Sequence, residues 1–168
     1  MKPEAFKAAM AELPAGVTVI TAWDPEGRPV GATVSAVTSL SLDPPMLLVC
    51  LAITSDTLRV LQPGAPFAVH VLRDGQQDVA ACLAGKGADK FARVSWSTGP
   101  HGLPHLDGSA VVASCEVSSL VPGGDHVVVL ADIRRVDVRE GCSPLVYHRR
   151  RMLSVDSLAD RPTAGAAR

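Results

Sequence analysis

The hydrophobic positions of this chain recur mostly at strand spacing, in short runs separated by proline and glycine. Residues 4–13 depart from that rhythm. Phe6, Ala9, Met10 and Leu13 fall at helical spacing, and Pro14 and Gly16 end the pattern, which predicts a short leading helix. A β-branched run then fills Val17 to Trp23. The segment Asp24-Pro25-Glu26-Gly27-Arg28-Pro29 has turn chemistry, and a second extended run opens at Val30, so the two runs predict an antiparallel hairpin.

The stretch from Gly31 to Leu51 carries the most information, because it changes character halfway. From Gly31 to Ser41, the short hydroxyls of Thr33, Ser35, Thr38, Ser39 and Ser41 recur among small or β-branched apolar residues. Laid out as one strand, the run presents hydroxyls with little bulk to block an approaching ligand. Asp43-Pro44-Pro45 forbids helix, since both prolines fix φ and lack an N–H. Met46 to Leu51 is continuously apolar and predicts a strand buried on both faces.

Further along, Thr54-Ser55-Asp56 predicts an N-cap for a short helix from Thr57 to Gln62. Phe67 to Leu72 predicts a strand, and Gln76 to Leu83 a helix that Gly85 terminates. Lys86 to Phe91 reads as a charged loop or short helix. Trp96 to Asp107 reads as a long irregular loop, in which His101 and His105 are expected to be exposed. Two long strands, Ser109 to Val121 and His126 to Val138, flank the turn Pro122-Gly123-Gly124-Asp125. A last short strand, Leu145 to His148, precedes Arg149-Arg150-Arg151. Those three arginines, if on a strand, alternate sides and cannot all converge on one anion. From Ala159 the tail is small and polar and is expected to be disordered.

About six strands, with helices only at the start and as insertions, predict a mainly β fold: an antiparallel barrel with peripheral short helices, formed by residues 1–158 as one domain. No GxGxxG follows a strand, which disfavours the doubly wound dinucleotide fold.

Composition narrows the picture. Hydrophobic residues make up 47% of the chain and aromatics only 4%, so the core must be built from aliphatics. Sixteen basic residues against 17 acidic ones leave no overall field to attract nucleic acid or an anionic membrane. The opening residues lack the apolar core of a signal peptide, and no apolar run approaches the ~18 residues of a membrane span, so a cytoplasmic protein is expected. Cys50, Cys82, Cys115 and Cys142 are widely spaced, without metal-ligand spacing to one another or to histidine, and read as small hydrophobes in a reducing compartment.

Three segments together carry a family likeness: Ala15 to Thr21 (AGVTVIT), Gly31 to Pro45 (GATVSAVTSLSLDPP) and Gly124-Asp125-His126. They resemble the flavin reductase family, the short NAD(P)H:flavin oxidoreductase components of two-component flavin monooxygenases, and the likeness runs from about Phe6 to Val155. The resemblance implies an FMN-binding split β-barrel, with FMN or FAD as the flavin and NADH or NADPH as co-substrate. It also implies a homodimer and a separate flavin-dependent oxygenase that receives the reduced flavin.

Carried over residue by residue, the resemblance places the flavin against Thr33, Val34, Ser35, Ala36, Val37, Thr38 and Ser39, and against the loop residues Thr54 and Ser55. Lys90-Phe91 resembles a family motif, and Lys90, with Lys86, is a candidate for phosphate contact. His126, the histidine of Gly-Asp-His, stands where the nicotinamide docks in the family. Many relatives have Asn and Phe where this chain has Ser35 and Val37. No acid or base is expected to be catalytic and no metal is implied, because the cofactors themselves carry out hydride transfer. Two other functions remain open on the residues alone: a flavin-binding or electron-carrying protein of the same barrel without nicotinamide turnover, and a structural or interaction module.

Overall fold

The computed structural model describes residues 1–156. Helix α1 (Pro3–Ala11) begins with proline, whose missing N–H costs nothing at a helix start, and buries none of its residues. Strands β1 (Ala15–Gly16), β2 (Thr18–Trp23) and β3 (Pro29–Val34) follow, with β2 and β3 forming the expected hairpin. Then come β4 (Val37–Leu42), β5 (Pro45–Ala52), helix α2 (Asp56–Val60), β6 (Pro66–Val71) and helix α3 (Gln77–Ala84). The second half holds β7 (Trp96–Thr98), β8 (Pro104–Leu106), β9 (Val111–Gly123), β10 (His126–Val138), β11 (Leu145–His148) and β12 (Arg151–Ser154).

Seven strands form one antiparallel sheet in the order β3-β2-β6-β9-β10-β5-β4. Its two edges, β3 and β4, are consecutive in the chain and only Ser35-Ala36 separates them, so the sheet must curl until the edges nearly meet. The backbone N–H of Cys50 donates to the carbonyl of Ala36 at 2.9 Å, which carries the β4–β5 pairing one residue into the break. Register shifts within the β9–β10 pair, each strand 13 residues long, add the bend that curling needs. The result is the antiparallel barrel that the strand pattern predicts, split as the family resemblance implies.

The expected single hydroxyl strand from Gly31 to Ser41 is therefore two strands on opposite edges, broken at Ser35-Ala36. Small side chains permit the break, whereas propensity does not reveal it. The run Met46 to Leu51 also differs from expectation: Leu47, Val49 and Leu51 are buried inside the barrel, while Met46, Leu48 and Cys50 are half-buried outside.

Two apolar clusters hold the fold. Ile20, Leu51, Phe67, Val69 and Val129 fill the barrel, and Val17, Val19, Leu72, Leu83 and Phe91 pack beneath α3. Strand β2 serves both clusters, with Ile20 on one face and Val19 on the other. Residues 96–107 are not irregular, because β7 and β8 pair as a small hairpin clamped onto the barrel. Thr21 donates its hydroxyl to Pro104, Trp23 donates its indole N–H to Gly102, and buried His70 accepts from the backbone N–H of Leu106 at 3.2 Å. His105 is consequently buried, edge to face with His70 at 5.7 Å, rather than exposed.

Strand β12 is an additional strand beyond those the pattern predicts. Arg149 and Arg150 take positive φ to make the β11–β12 turn, and Arg149 pairs with Glu12 at 2.8 Å, so the arginine cluster does not present one face. The four cysteines are free thiols, and burial pushes the Cys115 thiol up to about 12. Among the described residues there is no group of side chains able to hold a metal ion, and no helix is long and apolar enough to cross a membrane. The tail from Ala159 lies outside the described residues.

Candidate active site

The break between the barrel edges opens a groove. Its first part, a cavity of about 280 Å³, is lined by Ala32 to Ala36 on one side and Cys50 to Ala52 on the other, with Ser55 and His126 at its ends. Seven of the ten lining residues are alanine, serine, threonine or cysteine, so a flat ring system can approach the main chain closely. Ser35 and Ala36, both exposed, form the lip.

A second cavity, about 420 Å³, shares Ala32, Thr33 and Ser55 with the first and continues it toward α2 and the end of α3. Here the chemistry turns cationic. Lys86, Lys90 and Arg59 face a single carboxylate, Asp56, and the hydroxyls of Thr54 and Ser55 stand beside them. Ser55 occupies the N-cap position of α2 but makes no side-chain capping bond, contrary to expectation, so its hydroxyl is available to a ligand.

Lys90 is held firmly. Its ammonium donates to the carbonyls of Gly31 at 2.8 Å and Leu83 at 3.3 Å. An ammonium has three N–H groups, which leaves one for an anion. Burial pushes the Lys90 amine below the usual lysine range, against the opposing pull of Asp56 and Cys82. Thr33 donates its hydroxyl to the carbonyl of Ala80 at 2.7 Å, tying β3 to α3, so that hydroxyl positions the wall instead of donating to a phosphate.

His126 stands opposite Ala52 in the β10–β5 register. The backbone N–H of Ile53 donates to the carbonyl of Asp125 at 3.0 Å, which fixes the Thr54-Ser55 loop against the Gly-Asp-His turn. The imidazole Nδ1 lies 2.7 Å from the Asp125 carboxylate, and that hydrogen bond holds Asp125 below the usual carboxylate range. With 47% of its side chain exposed, His126 offers a ring edge to the groove and to solvent.

Of the residues singled out from the sequence, the fold gathers Thr33, Val34, Ser35, Ala36, Ser55 and His126 in the first cavity, and Thr33, Thr54, Ser55 and Lys90 in the second. Four others stand elsewhere. Val37 packs on the barrel core, and Thr38 and Ser39 are exposed along β4, beyond the break that turns the strand out of the groove. Phe91 is buried against Gly31 and meets Trp96 edge to face at 5.7 Å, so it backs the wall from within. Ala32, Cys50, Ala52 and Arg59 line the groove without having been marked by the sequence, because only strand register and closure bring them there.

A split barrel with a small-walled, uncharged seam leading to a cationic, hydroxyl-lined end defines a protein that holds a flat cofactor bearing a phosphate. The residues fit a flavin: the seam suits the ring and the cationic end suits its phosphate. Residues 10–156 match the family described as the flavin reductase like domain, and the chain belongs to the flavin reductase family. It is 42% identical to the actinorhodin polyketide dimerase of Streptomyces coelicolor, over 90% of this chain and 85% of that protein. It is 34% identical to the reductase subunit of a flavin-dependent monooxygenase from Rhodococcus jostii, over 88% of this chain and 75% of that one. The NADH:FAD oxidoreductase of Streptomyces globisporus, solved in complex with NAD and FAD fragments, superposes with a TM-score of 0.83 at 28% identity, covering 91% of this chain and 94% of that one. Two longer relatives extend further, the chain spanning 57% and 47% of their length.

Proposed function

We propose that this flavin reductase binds FMN or FAD along the seam, with the ring against Thr33 to Ala36 and the phosphate at Thr54, Ser55, Lys86 and Lys90. Bound there, the flavin supplies the hydride acceptor and NADH or NADPH supplies the hydride. The chain's own residues bind and orient. The backbone at the Ser35-Ala36 break offers main-chain groups to the ring edge, the ammonium groups neutralise phosphate, and His126 holds the nicotinamide side of the groove. Val37 and Phe91 support the wall from behind. The observation that carries this reading is the continuity of an uncharged seam with a cationic end through the shared residues Ala32, Thr33 and Ser55.

Two features extend the reading to partners. Leu40 and Leu42 are exposed on the edge strand β4, Leu42 to 91%, and Phe6, Met10 and Leu13 are exposed on and beside α1. Edge strands carrying exposed leucines favour association, and a second copy of the chain covers these faces in a homodimer. The lip of the groove opens to solvent, which suits release of reduced flavin to a separate flavin-dependent oxygenase, the arrangement implied by the name of the Rhodococcus relative. The protein works in the cytoplasm.

Mixing the protein with NADH and either flavin in air tests the activity, which is read as flavin-dependent loss of nicotinamide absorbance. Turnover is expected. Flavin binding without turnover would favour the electron-carrier alternative, and no perturbation of flavin fluorescence would remove both readings. Gel filtration is expected to show a dimer.

A further inference from the structure

We infer that the preferred flavin is the dinucleotide FAD, with its adenylate half seated in a third cavity beyond Lys90. The inference rests on the flavin reductase reading and adds a choice of substrate to it.

The third cavity measures about 400 Å³ and shares Gly31, Asp56, Thr57, Arg59 and Lys90 with the phosphate cavity, so the groove continues beyond that cavity. Its floor is apolar, built from Pro29, Val30, Val60 and Phe91. Gly31 at the junction explains that floor. A Cβ there would stand 3.1 Å from Phe91 Cζ and 2.9 Å from the carbonyl oxygen of Ile20, so glycine lets the Phe91 ring lie flush against β3.

Charge changes along the groove in a matching sequence. The seam carries no carboxylate or ammonium, and the phosphate cavity has three cations against one carboxylate. The third cavity is balanced, with Arg28, Arg59 and Lys90 against Asp24, Glu26 and Asp56. A dinucleotide has this profile: a neutral ring, then phosphates, then a neutral nucleoside. Arg59 pairs with Asp56 at 3.0 Å with both side chains exposed, and a pair of this kind holds weakly, so that guanidinium can turn to a phosphate or ribose oxygen. Arg28, itself exposed, is anchored at the rim by the largely buried Asp24 carboxylate at 2.8 Å and by Glu26 at 3.0 Å.

The adenylate half of NADH or NADPH has the same chemistry. Placement favours FAD, because the third cavity shares no lining residue with the first, where His126 stands, while the flavin's own chain leads from the seam through Lys90 into it.

Flavin fluorescence titrations with FMN and with FAD, without nicotinamide, test the inference. Wild-type protein is expected to bind FAD about tenfold more tightly than FMN. Val60→Trp fills the cavity and Arg28→Ala removes a rim cation, and each should bring the ratio of the two dissociation constants toward one. Arg28 is exposed, so its variant remains readable if Val60→Trp fails to fold. Equal affinities or an FMN preference in the wild type would overturn the inference, as would variants that shift both flavins alike. Variants that raise KM for NADH with FMN as acceptor, while leaving FAD binding intact, would assign the cavity to the nicotinamide dinucleotide instead. If the wild type binds neither flavin, the functional reading itself falls and this inference with it; if FMN binds and turns over without FAD preference, only the inference fails.

Discussion

Lys90 Nζ stands 2.8 Å from the carbonyl oxygen of Gly31, so the short helical segment Ala88–Arg93 is pinned to the edge strand that walls the groove. One ammonium thus joins the phosphate end of the site to the barrel. Replacing it tests both duties.

Lys90→Gln keeps a donor for Gly31 but removes the charge. Flavin affinity should fall by roughly 10- to 100-fold, the scale of a charge-assisted hydrogen bond, as read by fluorescence titration. Burial holds the Lys90 amine below the ordinary lysine range, so wild-type affinity should decline on the alkaline side earlier than an exposed lysine would allow. Below that lowered pKa the ammonium is charged and binding is full, and above it affinity falls toward that of the uncharged variant. The variant should lack this alkaline limb.

Gly31→Ala inserts a Cβ 2.9 Å from a backbone oxygen, which cannot yield as a side chain can. Overpacking of this kind costs roughly 1–3 kcal/mol. A lower unfolding midpoint in urea is expected, with the slope of the transition unchanged.

His126→Ala removes the ring at the nicotinamide side of the groove and leaves the phosphate end intact. Steady-state kinetics should show KM for NADH rising several-fold while the dissociation constant of flavin changes little. Equal loss of both would place His126 on the flavin itself.

Buried His70 contributes to the loss of stability at acid pH. The ring is fully buried, with Nδ1 at 3.2 Å from the carbonyl of Val19 and Nε2 accepting from Leu106, so it is neutral and protonated on Nδ1. Burial lowers its pKa to about 4, and the nearby His105 adds to the effect. Between pH 6.5 and about 4 the unfolded chain takes up a proton that the folded one refuses, so stability falls as pH falls through that window. The full loss, present below about 4, is on the order of 3 kcal/mol. Denaturant titrations across this range should show the slope, and His70→Gln should reduce it, leaving the smaller contribution of His105, whose pKa burial also lowers.

The barrel class and the neighbourhood of the site were legible in the sequence for local reasons. Hydroxyls at Thr33 and Ser35, the pair of prolines after Asp43, and the apolar run to Leu51 each follow from backbone geometry and period. Thr54, Ser55, Lys90 and His126 were marked by resemblance and come together along one groove. Thr38, Ser39 and Phe91 were marked by the same run of sequence and do not line the groove's first two cavities, because a two-residue break in a strand leaves no trace in hydrophobic spacing. His105 shows the same limit: glycines and prolines around it signal a loop, while its burial depends on His70, 35 positions earlier in the chain.

By itself, then, the chain's order of residues determined which segments extend, which turn, and which carry hydroxyl or cationic groups, since those are properties of neighbours along the backbone. Only the tertiary structure decided that β3 and β4 lie at opposite edges of one sheet and meet again at Ser35-Ala36. Closure of a seven-stranded sheet is set by packing across its interior. That packing opens the groove, carries Cys50 and Arg59 into its walls, and sends half of the hydroxyl run elsewhere.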